Sequence, residues 1–117
     1  MTPRTAGQIV LVEFPFTDLS HSKYRPVLLL RPASRRYADW VVCMISSRLH
    51  QVDPEIDEVL QPEDPDFGTS GLKVTSLIRL SRLAVIAESQ MLGLLGTLSQ
   101  QRLHQLRQRL GRWLTDD

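Results

Sequence analysis

The chain has 117 residues, of which 42% are hydrophobic and 23% charged, a composition that fits one globular domain over residues 1–117 and excludes a disordered chain. Fourteen Lys and Arg against 13 Asp and Glu leave a formal net charge of +1, so bulk polyelectrolyte attraction to nucleic acid is excluded and only the distribution of charge can create an anion-binding face. A single cysteine, Cys43, rules out an internal disulfide and a cysteine-only metal cluster, and a reducing cytoplasmic location is expected.

In chain order, residues 8–14 (QIVLVEF) form an apolar, partly β-branched run that stops at Pro15. The run is too short for a stable helix and reads as a first strand. Residues 17–24 (TDLSHSKY) are polar and turn-prone, and Pro26 biases Arg25 toward an extended backbone where a loop enters a second strand over residues 27–31. A third strand is expected over residues 40–46. Residues 53–66 carry seven acidic side chains, no Lys or Arg, and three prolines, which reads as a short edge strand (55–60) and a solvated loop, or else a segment screening a basic face.

Residues 72–80 (LKVTSLIRL) alternate so that Leu72, Val74, Ser76, Ile78 and Leu80 share one face and Arg79 points to the other. Residues 82–88 form another strand candidate, and Gly93 and Gly96 flank a short Leu pair. Ser99 is placed to cap a helix to about Leu114, with Leu103, Leu106, Leu110, Trp113 and Leu114 at helical spacing and four arginines on the remaining surface. Five to seven short strands before one helix predict a mainly β protein with a C-terminal α-helix, built as a small, curved antiparallel barrel. No apolar run is long enough to span a bilayer and MTPRTAG lacks a signal-like core, so neither membrane insertion nor export is expected.

Charge is unevenly spread. Lys23, Arg25, Arg31, Arg35, Arg36 and Arg48 face only Asp39 between residues 20 and 50, and Lys73, Arg79 and Arg82 form a second basic set. Arginine outnumbers lysine twelve to two, and the guanidinium fork suits phosphate oxygens. The competing reading is an ordinary solvated surface. No phosphate-binding loop, dinucleotide fingerprint, nucleophile elbow or zinc-protease motif is present, the three histidines lack ligand spacing, and no cofactor or metal is expected. Cys43 sits in an apolar run and reads as a buried small hydrophobe. Ser46 and Ser47 end the third strand beside Arg48, either as strand-end caps or as hydroxyls facing the loops around Arg25.

The stretch GQIVLVEFPFTDLSHSKYRPVLLL, followed in order by WVVCMISSRL, GLKVTSLIRLSRLAVI and GLLGTLSQQRLHQLRQRLGRWL, resembles the MazF/PemK family of toxins from toxin–antitoxin systems, particularly its PemK-like branch. The resemblance runs from Gly7 to Leu114 and implies an SH3-like (CcdB/MazF-like) barrel, commonly paired as a homodimer. It also implies a metal-independent, sequence-selective endoribonuclease that cuts single-stranded RNA by attack of the ribose 2'-hydroxyl. A cognate antitoxin protein would neutralise it, and operator DNA would be bound mainly through the antitoxin complex.

By resemblance, Arg25 matches the arginine assigned to phosphate stabilisation or general-acid work, Ser46 falls where many members carry a catalytic threonine, and Arg79 matches an RNA-contacting arginine. Lys23, Tyr24, Ser47, Arg48 and Lys73 are the further expected RNA contacts. The sequence departs from the family in having Thr75 and Ser76 where some members place an acid-base aspartate, and Leu77 where Gln is common, so His21 is expected to supply the base. Two other readings remain: a catalytically weak family-like binding module, or a growth inhibitor with a non-RNA target such as gyrase.

Overall fold

The structure is a computed structural model that describes residues 4–15 and 22–116. Its first hairpin comes from the two β-branched runs: β1 (Gln8–Pro15) pairs antiparallel with β2 (Ser22–Pro32), setting Val12 opposite Arg25 and Glu13 opposite Tyr24. A short connection returns β3 (Asp39–Ser46) alongside β2, with Val27 opposite Met44. The acidic segment contributes β4 (Glu58–Leu60), then a single helical turn, α1 (Phe67–Ser70), that ends at Gly71 in the left-handed region. The long strand β5 (Ser76–Ala87), the strand β6 (Met91–Thr97) and the helix α2 (Gln100–Thr115) complete the chain. The sheet order is β4-β5-β3-β2-β1-β6.

Strand alternation gives the sheet two apolar faces. One carries Ile9, Leu28, Leu30, Cys43, Ile45, Ile78 and Leu80, and it is covered by Ile56, Leu60, Leu98 and the α2 residues Leu103 and Leu106. The opposite face gathers Val10, Val12, Val27, Leu29, Trp40, Val42, Ile86 and Met91 into one cluster, so the sheet must curl around its own side chains as a mainly antiparallel, barrel-like fold.

Residues expected as two strands, 72–80 and 82–88, are instead one bent strand that begins at Ser76. Its register against β3 jumps from Cys43–Leu83 to Met44–Arg79, which leaves residues 80–82 bulged out of the ladder. A bulge frees backbone groups that need partners elsewhere. The Ser81 N–H donates to Asp57 Oδ1 at 3.0 Å and the Ser81 hydroxyl to the same oxygen at 2.9 Å, while Asp57 Oδ2 accepts the Asp53 N–H at 2.9 Å. β6 was not foreseen as a strand, because its glycines and leucines lack a period-2 polar alternation.

The edge strand expected in the acidic segment is present as β4, and the loop after it is exposed at residues 61–63 but tied down by its other carboxylates. Arg102 places Nη1 2.6 Å from Glu58, Nη2 3.2 Å from Asp64 and Nε 2.9 Å from buried Asp66, and Arg109 reaches Glu58 at 2.9 Å. Asp66 Oδ2 also accepts the Ser99 N–H at 3.1 Å, and Ser99 caps α2 by accepting the Arg102 N–H. Arg107 donates to the Leu30 carbonyl at 3.0 Å. Helix arginines expected as plain surface thus clamp α2 over its cluster. Burial opposes the Asp66 charge, but the Arg102 hydrogen bonds, the Ser99 N–H and the Arg102 charge together hold its carboxyl below the ordinary carboxylate range. Leu110 packs against the core, whereas Trp113 and Leu114, expected on the buried helix face, are exposed.

Two outcomes are expected of variants in this framework. At Gly96 a Cβ would overlap the Thr69 carbonyl oxygen and Ser70 backbone of α1, so Gly96→Ala should lower stability by about 2 kcal/mol, read by thermal or urea unfolding. Asp66→Asn removes an ionised acceptor from the clamp and should cost about 2 kcal/mol at neutral pH. Because the folded-state pKa of Asp66 is depressed, its contribution is complete above the unfolded carboxylate pKa and is lost as pH falls through the folded one. The stability gap between wild type and Asp66→Asn should therefore narrow in acid, and a gap that widens there would contradict the assignment.

Candidate nucleic-acid cleft

The β2–β3 pairing decides where the sequence-predicted residues meet. Continuing the Val27–Met44 register two residues outward sets Arg25, near the start of β2, beside Ser46, the last residue of β3. Ser46 in turn faces Leu77 of β5. At these strand ends opens a cleft of about 430 Å³ lined by Tyr24, Arg25, Pro26, Ile45, Ser46, Ser47, Leu72, Lys73, Val74 and Ser76. Five of the expected residues, Tyr24, Arg25, Ser46, Ser47 and Lys73, therefore share one cavity.

Other expectations fall elsewhere. Arg48 and Arg79 are not among the residues lining the cleft: Arg48 is exposed on the turn after β3, and Arg79 sits on β5 opposite Met44, two residues beyond the partner of Ser46. Lys23 lies within β2 opposite Phe14, and its side chain is outside the described atoms. His21 lies outside the described residues. The 72–75 segment, expected as strand, is a loop forming one wall of the cleft. Its contribution was hidden because the alternation of residues 72–80 reads equally well as strand.

The Ser46 oxygen accepts the Arg48 N–H at 3.0 Å, closing the turn, so the strand-end cap and the exposed hydroxyl are the same group. A hydroxyl that accepts there still has its hydrogen to donate into the cleft. Ser76, buried in the floor, donates its hydrogen to the Val74 carbonyl at 2.7 Å and thereby shapes the loop wall. Tyr24 is 60% exposed and offers a ring at the mouth. Among the described lining residues Arg25 and Lys73 are basic and none is acidic or histidine, a lining whose chemistry suits phosphate. Cys43 is fully buried, and burial followed by the nearby Asp57 charge pushes its thiol well above its ordinary value; it is a core residue and not a nucleophile. Among the described residues, no group of three or more His, Cys, Asp or Glu side chains is arranged to hold a metal ion, and no helix is long and apolar enough to cross a membrane.

Fold and cleft together define a small curled-sheet protein with one covering helix and a basic, hydroxyl-bearing groove at its strand ends. The chain belongs to the family of PemK-like, MazF-like toxins of type II toxin–antitoxin systems, whose model matches residues 5–114. Its structure is similar to a mycobacterial endoribonuclease solved in complex with its cognate antitoxin, with a TM-score of 0.67 and 16% identity over 95% of this chain and 94% of that one. It is also similar to the Mycobacterium tuberculosis toxin MazF-mt6, with a TM-score of 0.65 and 18% identity over 94% of this chain and 98% of that one. A further mycobacterial endoribonuclease gives a TM-score of 0.67 and 16% identity over 97% and 93% of the two chains. No curated protein sequence matches this one.

Proposed function

We propose that this toxin is an endoribonuclease that cuts single-stranded RNA, with messenger RNA as its growth-inhibiting target. The observation that carries the reading is the meeting of Arg25, Ser46 and Lys73 in one cleft. In this scheme the substrate supplies its own nucleophile: the ribose 2'-oxygen bonds to the adjacent phosphorus and the bond from phosphorus to the 5'-oxygen breaks. The products are a 2',3'-cyclic phosphate and a 5'-hydroxyl. Arg25 stabilises the charge that accumulates on the phosphorane oxygens, where a fixed guanidinium acts without reorganising. Ser46, already oriented by the Arg48 N–H, donates its hydrogen to a phosphate oxygen. Lys73 and Ser47 hold flanking backbone, and Tyr24 stacks on a base. His21 is the base in this proposal, taking the 2'-hydroxyl proton, and a water molecule protonates the departing 5'-oxygen.

The family assignment and the antitoxin complex of a structural neighbour support a protein antitoxin as the natural inhibitor, with operator DNA bound mainly through that complex. The protein acts in the cytoplasm, where its substrate is. A homodimer is supported by apolar side chains left on the outside of β5 and β6, with Val85 62% exposed and Leu83, Leu92 and Leu94 also exposed. Among the described cleft-lining residues none is Asp, Glu or His, the one observation that favours a binding module without strong cleavage, and the cleavage assay separates the two.

Incubated with long RNA in EDTA and mapped by primer extension, wild type should give discrete new 5' ends. Arg25→Ala should lose about 10²–10³-fold in rate, Ser46→Ala should lose about tenfold, and Ser46→Thr should retain most activity. RNA bound but left intact by wild type would establish the binding module, and growth arrest with no RNA affinity would point to another target. In light scattering the protein should run near twice its 13.4 kDa chain mass, and Val85→Asp should shift it toward the monomer.

A further inference from the structure

Arg79 is held differently from the helix arginines Arg102 and Arg109. Arg102 and Arg109, which serve the fold, are neutralised by Glu58, Asp64 and Asp66. Arg79 is half-buried, its Nη1 donates to the neutral Oε1 of Gln51 at 3.1 Å, and its Nε is buried with no partner. Among the described residues no carboxylate is ion-paired with it. Holding a half-buried guanidinium by an amide costs stability that a carboxylate would recover. What the amide preserves is the positive charge.

Gln51 belongs to the same short segment as the cleft hydroxyls. The Arg48 N–H is tied to Ser46, the Gln51 N–H donates to the Arg48 carbonyl at 3.1 Å, and the Gln51 side chain reaches across to Arg79. On β5, Arg79 lies two residues from Leu77, the partner of Ser46, a separation of about 7 Å along the strand. A polynucleotide leaving the cleft along β5 would bring its next backbone phosphate to this guanidinium.

We propose that Gln51 is a positioning residue that fixes Arg79 beside the cleft as an un-neutralised cation for an RNA phosphate flanking the cut. The inference rests on the RNA-cleaving reading and adds the group that aims the second arginine. A glutamate at position 51 would keep the tether, convert Arg79 into a structural ion pair and cancel its charge toward RNA.

The deciding experiment compares wild type, Gln51→Glu, Gln51→Ala, Arg79→Ala and the Gln51→Glu/Arg79→Ala double variant. Thermal unfolding, KM and kcat on one defined RNA, and the salt dependence of KM are measured for each. Gln51→Glu should unfold at or above the wild-type temperature yet raise KM about tenfold, leave kcat within about twofold and reduce the salt slope by about 0.7, the loss of one phosphate contact. Arg79→Ala should show the same KM and slope, and the double variant should add nothing to it. Gln51→Ala should raise KM with the salt slope retained, since only the aim of the charge is lost. A merely structural tether predicts instead that Gln51→Glu keeps wild-type KM and slope, and that result overturns the inference while leaving the RNA reading intact. A wild type that neither binds nor cuts RNA, in the same assay that includes Arg25→Ala, removes both.

Discussion

The antiparallel register of β2, β3 and β5 is the constraint on which the molecule depends. It places the start of β2 on one side of the end of β3 and the start of β5 on the other, so Arg25, Ser46 and the 72–75 loop converge although they are far apart in sequence. A shift of one residue in either pairing would send the alternating side chains to the opposite face and break both apolar clusters along with the cleft. Burial of Val27, Leu28, Leu29 and Leu30 on the two sides of β2 therefore stabilises the site as well as the fold.

The bulge in β5 extends this coupling. By displacing residues 80–82 it lets one strand satisfy both clusters, Ile78 and Leu80 on one side and Ile86 on the other. The unpaired Ser81 backbone is taken up by Asp57, and the adjacent Glu58 receives the helix arginines. Bulge, acidic segment and helix clamp form one continuous polar frame around the first apolar cluster.

Charge is divided along the same lines. Glu58, Asp64 and Asp66 are engaged by Arg102 and Arg109, at a distance in sequence from the basic residues of the strand ends, and the described cleft lining holds Arg25 and Lys73. A chain of nearly zero net charge thus gathers Arg25 and Lys73 at one groove while Glu58, Asp64 and Asp66 are engaged in holding the helix. Composition alone does not reveal this division.

Local chemistry was legible in the sequence. The β-branched runs of β1 to β3, the Ser99 cap, the burial of Cys43 and the Arg-Pro and Ser-Ser positions each follow from residue type and short-range pattern, and the ordered motifs pointed to the toxin family. Three features were not legible: the continuity of β5 through its bulge, the strand character of the Gly- and Leu-rich β6, and the use of the acidic segment as a counterpart to α2. Each depends on partners far away in the sequence, from Leu60 opposite Ser76 to Gln8 opposite Thr97, and neither alternation nor propensity records which backbone groups find them. The sequence by itself determined which segments extend, where the helix starts and which side chains are suited to phosphate. Only tertiary packing decided which arginines are neutralised and which stay cationic, because that choice rests on distances set by strand register and helix docking.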